Sequence, residues 1–390
     1  MIDYSKVINE KIKNIKPSGI RKFFDIASEM ENVISLSIGE PDFKTPWHVR
    51  EAGIASLQQG NTKYTSNKGL TQLRKEICTF FDRKYNVKYN AEEECLVTVG
   101  GSEAIDLAMR TLINEGDEVL IPQPCFVCYD PLVQMADGIP VAVETREEDN
   151  FKLTSQLLEK MITPKSKLLV LPYPNNPTGA IMEKEELQKI AEVVLKHNLF
   201  VISDEIYAEL TYNNKKHVSF ASIEGMKERT VVVSGFSKAY SMTGWRLGYS
   251  LAPVEITDMM TKLHQFAIMS APTTAQYAAI EALKNGDRDI EKMRDEYDMR
   301  RRLEVKRFRE MGFSCFEPEG AFYVFPCIKS TGLSSEEFCM KLLQSKNVAV
   351  VPGNAFGECG EGFIRVSYSF SIRHINEALN RIEEFLKELN

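Results

Sequence analysis

Lys238 and Arg246 stand eight residues apart within residues 231–249, VVVSGFSKAYSMTGWRLGY. The stretch opens with Val231-Val232-Val233, a β-branched run of the kind that builds a strand buried on both faces. Ser234-Gly235 breaks the run, and Ser237-Lys238 follow. A lysine just past a buried strand sits where open α/β sheets carry ligands, outside the carboxyl edge. Burial lowers an amine pKa and leaves a neutral nucleophile able to attack a carbonyl. Arg246 and the Ser237 hydroxyl suit a phosphate, the arginine through forked, charge-assisted hydrogen bonds. Gly244 and Gly248 allow tight turns around Trp245 and Arg246. An amine nucleophile beside a phosphate clamp suggests pyridoxal phosphate held as a Schiff base. The plain alternative is two ordinary surface charges, since short motifs produce false matches.

Other elements must position these groups. Residues 95–99 read as a strand, and Gly100-Gly101-Ser102-Glu103 then opens a helix with Ala104, Ile105, Ala108, Met109 and Leu112 at helical spacing. Ser102 reads as its N-cap. A helix start of this kind binds phosphate through its free N–H groups and dipole, although strand–helix packing explains a glycine pair equally well. Residues 118–121 read as a strand and Pro122-Gln123-Pro124 as a loop. Leu168-Leu169-Val170-Leu171 and Phe200-Val201-Ile202-Ser203 read as buried strands. The first runs into Pro-Tyr-Pro-Asn-Asn-Pro-Thr-Gly, a good turn former in any case. The second ends in Asp204-Glu205-Ile206-Tyr207, and a buried acid there needs a partner unless it caps a helix. Ile364, Val366 and Tyr368 share one strand face, which turns Arg365 to the other.

Gly235-Phe236-Ser237-Lys238, then seven residues and Arg246-Leu247-Gly248-Tyr249, resembles the lysine segment of fold-type I pyridoxal-phosphate enzymes. The nearest resemblance is to the class I/II aminotransferases, in the branch of bacterial aspartate and aromatic aminotransferases. It covers nearly the whole chain, because further motifs follow in that family's order. The resemblance implies that Lys238 carries the cofactor and that Asp204 keeps its ring nitrogen protonated. It implies that Asn176 and Tyr207 bond the phenolic oxygen and that Phe126 stacks on the ring. Gly101, Ser102, Glu103, Ser237 and Arg246 would then hold the phosphate, with Tyr64 supplied by a second subunit. Gly39 and Arg365, with Asn176, would take the substrate carboxylate. Read alone, Tyr64 is an aromatic in a loop, and core packing is its ordinary explanation.

The implied fold is α/β: a mostly parallel sheet with helices on both faces, plus a smaller α+β domain. The expected bounds are 1–46 for an arm and part of the small domain, 47–284 for the large domain and 285–390 for the small C-terminal domain. Residues 16–46 read as a mostly extended arm in which Ile34 to Ile38 alternate as a short strand. Residues 320–325 and 347–351 read as strands, and Arg300-Arg301-Arg302 as a solvated face.

The 390 residues, 43% hydrophobic and 26% charged, suffice for such a core. A net charge of -7 disfavours nucleic acid or an anionic membrane as partner. No stretch reads as a membrane span or signal peptide, so a cytoplasmic protein is expected, and the family resemblance implies a homodimer acting on small molecules. The 8 scattered cysteines argue against a disulfide scaffold. Cys125 and Cys128 lack the second pair that a thiolate metal site needs, so no metal is expected. The expected activity moves an amino group from an aromatic or large neutral L-amino acid to a 2-oxo acid such as 2-oxoglutarate. Aspartate aminotransferase, a carbon–sulfur β-lyase on the same cofactor and an aminotransferase-like sensor domain are the alternatives.

Overall fold

The computed structural model describes residues 2–15, 17, 19, 26 and 30–389. Part of the arm expected over 16–46, namely 16, 18, 20–25 and 27–29, lies outside the described residues. The strands are β1 (Ile34–Ser35), β2 (Cys95–Thr98), β3 (Glu118–Gln123), β4 (Ile139–Glu144), β5 (Ser166–Leu171), β6 (Phe200–Asp204), β7 (Thr230–Gly235), β8 (Gly248–Leu251), β9 (Tyr323–Val324), β10 (Val348–Ala349), β11 (Val351–Pro352) and β12 (Ile364–Ser367). Seven of them form one sheet in the order β2-β8-β7-β6-β5-β3-β4. All neighbours in it run parallel except β8, which is antiparallel to both β7 and β2.

Both faces of this sheet are covered, which is why β5 and β7 are apolar without alternation. Leu168, Val170, Ile202, Val231 and Val233 pack with Ala104, Ile105, Ala108 and Met109 of the helix Gly100–Leu112. Leu169, Leu171 and Val201 face the opposite way, onto Leu187, Ile190, Ala191 and Val194 of the helix Lys184–Lys196. Adjacent residues of one strand thus serve two cores, as the period of two requires.

A second core lies beyond this sheet. It joins β9, β10 and β12 to the helices Asp287–Glu310, Ser335–Lys346 and Ile372–Leu389. β1, from the chain's first part, pairs parallel with β10. β12 lies antiparallel between β11 and β9. Among the described residues no helix is long and apolar enough to cross a membrane.

Four sequence expectations need correction. Pro122 and Gln123 continue β3, paired with Val143 and Glu144 on β4. The register with β5 is recorded only as far as Leu120. The alternating stretches at 34–38 and 320–325 form only the two-residue strands β1 and β9. Ser102 is not the N-cap: Val99 holds that place, and the helix already begins at Gly100 with φ +78. The arginine run is not a solvated face, because Arg300 and Arg301 are buried and only Arg302 is largely exposed. Arg300 pairs with Asp42 at 2.8 Å and with Glu296 at 3.2 Å. Arg301 donates to Glu317 and Asn213, each at 2.9 Å, to the Pro318 carbonyl at 3.1 Å, and to Asp298.

A charge buried on several partners stabilises more than an exposed pair. Arg301→Met should destabilise the protein by about 1.5–3 kcal/mol. Arg302→Met, at an exposed ion pair, should cost less than about 1 kcal/mol. Urea unfolding followed by circular dichroism compares the two, and equal losses would contradict this account.

Candidate active site

The carboxyl ends of β5, β6 and β7 open onto one cavity of about 810 Å³. Each strand delivers side chains to it through the loop that follows. Asn176 comes after β5, Asp204 and Tyr207 after β6, and Ser237 and Lys238 after β7. Phe126 enters from the loop beyond β3. The smaller core supplies Arg365 and Tyr323, and residues 37–40 cross between the two bodies.

Lys238 stands three residues past the end of β7, and its Nζ donates to the Gly39 carbonyl at 2.7 Å. Burial lowers its pKa to about 8, and Arg365 and Arg246 push the same way, while Glu40 opposes them. Asp204 is only 7% exposed. Its Oδ2 accepts from the Tyr129 hydroxyl at 2.7 Å and its Oδ1 from the Ile206 N–H at 3.1 Å. Burial still pushes its carboxyl pKa above the ordinary range. A cation placed against it would reverse that shift.

The helix Gly100–Leu112, β8 and Arg246 converge on one corner. A Cβ at Gly100 would lie 2.7 Å from Arg246 Nη2. One at Gly248 would lie 2.5 Å from Gly100 C and from Gly101 N, which are backbone atoms. Glycine at both positions is what lets strand, helix start and guanidinium meet. Arg246 has a left-handed φ of +51, and its Nη1 donates to the Thr243 carbonyl at 3.0 Å. Gly101, Ser102 and Ser237 line the same cavity. First-turn N–H groups, hydroxyls and a guanidinium together make a cup for a dianion. Glu103 is different: its carboxylate accepts the Val99 N–H and pairs with His264 Nδ1 at 2.7 Å. Its side chain does not line the cavity.

On the other wall Arg365 is 2% exposed. Strand alternation had turned it away from Ile364 and Val366, and that side is the cavity. Its Nη1 donates to Asn176 Oδ1 at 2.9 Å and its Nη2 to the Ser37 carbonyl. Its Nε is buried and has no partner. A buried guanidinium with a donor left over calls for an anion. Gly39 lies against Tyr323, whose hydroxyl oxygen would be 2.2 Å from a Cβ added there. Tyr207 and Tyr323 share a hydrogen bond of 2.8 Å between their hydroxyls. Phe126 meets Tyr129 edge to face at 6.4 Å.

Thus Lys238, Asp204, Tyr207, Asn176, Phe126, Gly101, Ser102, Ser237, Arg246, Gly39 and Arg365 share one cavity. Tyr64 does not, and core packing is not its explanation either, because it is 81% exposed. Sequence reasoning missed Tyr129 and Tyr323. Tyr129 lies three residues after Phe126, and that closeness is the one signal that pointed toward it. Among the described residues no cluster of three or more His, Cys, Asp or Glu could hold a metal. A phosphate-bearing aldehyde fits these walls: an amine of lowered pKa, an anion cup and a buried acid in want of a cation.

The aminotransferase class I and II family model matches residues 31–382. A Bacillus subtilis protein whose name gives an aminotransferase but no substrate is 54% identical, over 97% of this chain and 98% of its own. An aspartate aminotransferase of Pyrococcus abyssi is 45% identical over 98% of each chain. The crystal structure of an aromatic aminotransferase from Pyrococcus horikoshii superposes with a TM-score of 0.90 at 44% identity. It covers 94% of this chain and 99% of that one. A likeness that runs collinear through sheet, cavity and small core is one of descent as well as shape: this chain belongs to the class I and II aminotransferases, pyridoxal-phosphate-dependent transaminases of the fold-type I α/β class.

Proposed function

We propose that this aminotransferase takes the amino group of an aromatic or large neutral L-amino acid and passes it to a 2-oxo acid such as 2-oxoglutarate. The observation that carries this is the make-up of the cavity wall. Ile38, Ile105, Phe126, Val127 and Ile206 make it apolar, and its cations among the described residues are Lys238, Arg246 and Arg365. Each of the three has a task in this reading, so no cation is reserved for an acidic donor side chain, and the pocket tolerates the distal carboxylate of 2-oxoglutarate without one. Burying a large apolar side chain against such a wall releases water from both surfaces. The Pyrococcus abyssi relative favours a second reading, aspartate as donor.

Bound pyridoxal phosphate supplies an aldehyde carbon and an electron sink for the charge left at the substrate Cα. The helix start at Gly101-Ser102, with Ser237 and Arg246, would hold its phosphate, to which Glu103 could contribute backbone only. Asp204 would pair with the ring nitrogen, with Tyr129 orienting that carboxylate. Asn176 and Tyr207 would bond the phenolic oxygen, and Phe126 would cover the ring. Arg365 grips the substrate carboxylate through a fork that lysine cannot reproduce, beside the Gly39 backbone. The freed Lys238 amine takes the proton from the substrate Cα and later returns one. Holding the carboxylate on one side and the amine on the other aligns the Cα–H bond for that transfer.

The same reading divides the chain at 1–46, 47–284 and 285–390, supported by the helix break at Gly286. It places the enzyme in the cytoplasm, in keeping with eight unpaired cysteines. It also makes the enzyme a homodimer. Tyr64, 81% exposed, neighbours an apolar patch in which Phe266 is 80% exposed and Ile268 and Met269 are also open. Asn67 ties the two loops together by donating to the Met269 carbonyl at 2.8 Å. A second copy covering that patch would bring Tyr64 to the neighbouring cup.

Three measurements test these points. The rate at which cofactor-free protein takes up pyridoxal phosphate should rise with pH and level off above a midpoint near 8, because only the neutral Lys238 amine attacks. A midpoint above about 10, the range of an exposed lysine, would mean that Lys238 is not the acceptor. With 2-oxoglutarate fixed, kcat/KM should be higher for phenylalanine and tyrosine than for aspartate. A clear preference for aspartate would replace the proposed substrate with the second reading. Sedimentation should give a dimer, and Tyr64→Ala should weaken cofactor retention without dissociating it. A fully active monomer would refute the shared site.

A further inference from the structure

Tyr323 lines the cavity and has no role in the scheme above. It sits on β9 directly opposite Ser367 of β12. Arg365 is two residues from Ser367, so Tyr323 and Arg365 are diagonal neighbours on one sheet face. The Arg365 guanidinium lies 4.5 Å from the Tyr323 ring centroid. The Tyr323 hydroxyl meets that of Tyr207 at 2.8 Å. One side chain therefore touches both the residue assigned to the cofactor's phenolic oxygen and the residue assigned to the substrate carboxylate.

We propose that Tyr323 is a positioning residue that locks Tyr207 and Arg365 into a single geometry, its hydroxyl acting on the first and its ring on the second. The inference rests on the roles given to those two residues above. Tyr323 is fully buried, and Tyr207 is nearly so. Burial keeps both phenols protonated, so one donates and the other accepts. The charged groups that face Tyr207 are Arg365, Asp204 and Lys238, whose Nζ lies 5.8 Å from the Tyr207 ring centroid. When Tyr207 donates to a phenolic oxygen, its own oxygen is left to accept from Tyr323. Donors in series polarise one another, so Tyr207 becomes the stronger donor. A stronger donor favours the ionised phenolic oxygen. The ring acts separately: its face fixes the plane of the guanidinium and attracts its charge, a contact worth more out of water than in it. Gly39, pressed against the same hydroxyl, keeps the residue from turning away.

Two variants of the holoenzyme separate the two parts. Tyr323→Phe keeps the ring and removes the hydroxyl. The apparent pKa of the cofactor absorbance band should rise, its dissociation constant falling roughly two- to tenfold. Affinity for 3-phenylpropanoate, a carboxylate without an amino group, should stay at the wild-type value by calorimetry. Tyr323→Leu removes the ring, and that affinity should fall by up to roughly 30-fold. A wild-type absorbance titration in Tyr323→Phe, or wild-type carboxylate affinity in Tyr323→Leu, would overturn the proposal. Should the leucine variant not fold, the phenylalanine variant decides by itself. Wild-type protein without a cofactor band or transaminase turnover would refute the parent reading, and this inference with it. Wild-type protein with both, and Tyr323 variants that match it, would refute this inference alone.

Discussion

Burial holds the Lys238 amine near a pKa of about 8, and most of the site can be read as the means of keeping it there. An amine in water stays charged at neutral pH and is a poor nucleophile. Desolvation raises the neutral fraction only if the surrounding walls are fixed, since a loose cavity admits water. The β-branched run of β7, buried on both faces, anchors the lysine from below. The Gly39 carbonyl accepts from it above. Arg365 and Arg246 add repulsion, while Glu40 and then Asp204 pull the other way. The result is a set of opposite charges brought together around one cavity, where a guest can settle them.

Which parts could be read in the sequence follows from the range of the forces involved. β5, β6 and β7 were legible because a strand buried on both faces leaves a local signature, an unbroken apolar run. Lys238 and Asp204 were legible because each lies within a few residues of such a run, and Asn176 through its place in the family's order of motifs. Tyr323 was not. Its partner Tyr207 is 116 residues away in the chain, and nothing near residue 323 announces a register with β12. Tyr129 bonds Asp204 across 75 residues, with the same result. The arginine run misled for another reason. Three charges in a row read as a polar surface, yet successive helical residues point about 100° apart, and here two of them reach acids contributed by other segments. Ser102 misled by a shift of three residues. A positive φ at Gly100 starts the helix where a residue with a side chain would have delayed it.

The relatives sharpen what the fold decides and what it leaves open. The identity to a protein named for aspartate, 45%, hardly differs from the 44% to one named for aromatic substrates. Overall likeness therefore carries little information about the donor. A few side chains on the apolar wall must carry it instead, and their effect depends on shape and on the absence of a further cation rather than on any motif.

Gly100, Gly101 and Gly248 meet at one corner of the site. A single Cβ at Gly248 would press on main-chain atoms, which have nowhere to go. This part of the cup is thus written in backbone, and single substitutions there tend to break it without retuning it. The apolar lining, with Ile38, Ile105 and Phe126, is written in side chains, which trade volume and polarity one at a time. A scaffold built this way can change its diet while its grip on an anion stays put. Directed evolution for a new donor therefore has its free letters in the side chains of the lining and its fixed grammar in the backbone of the cup.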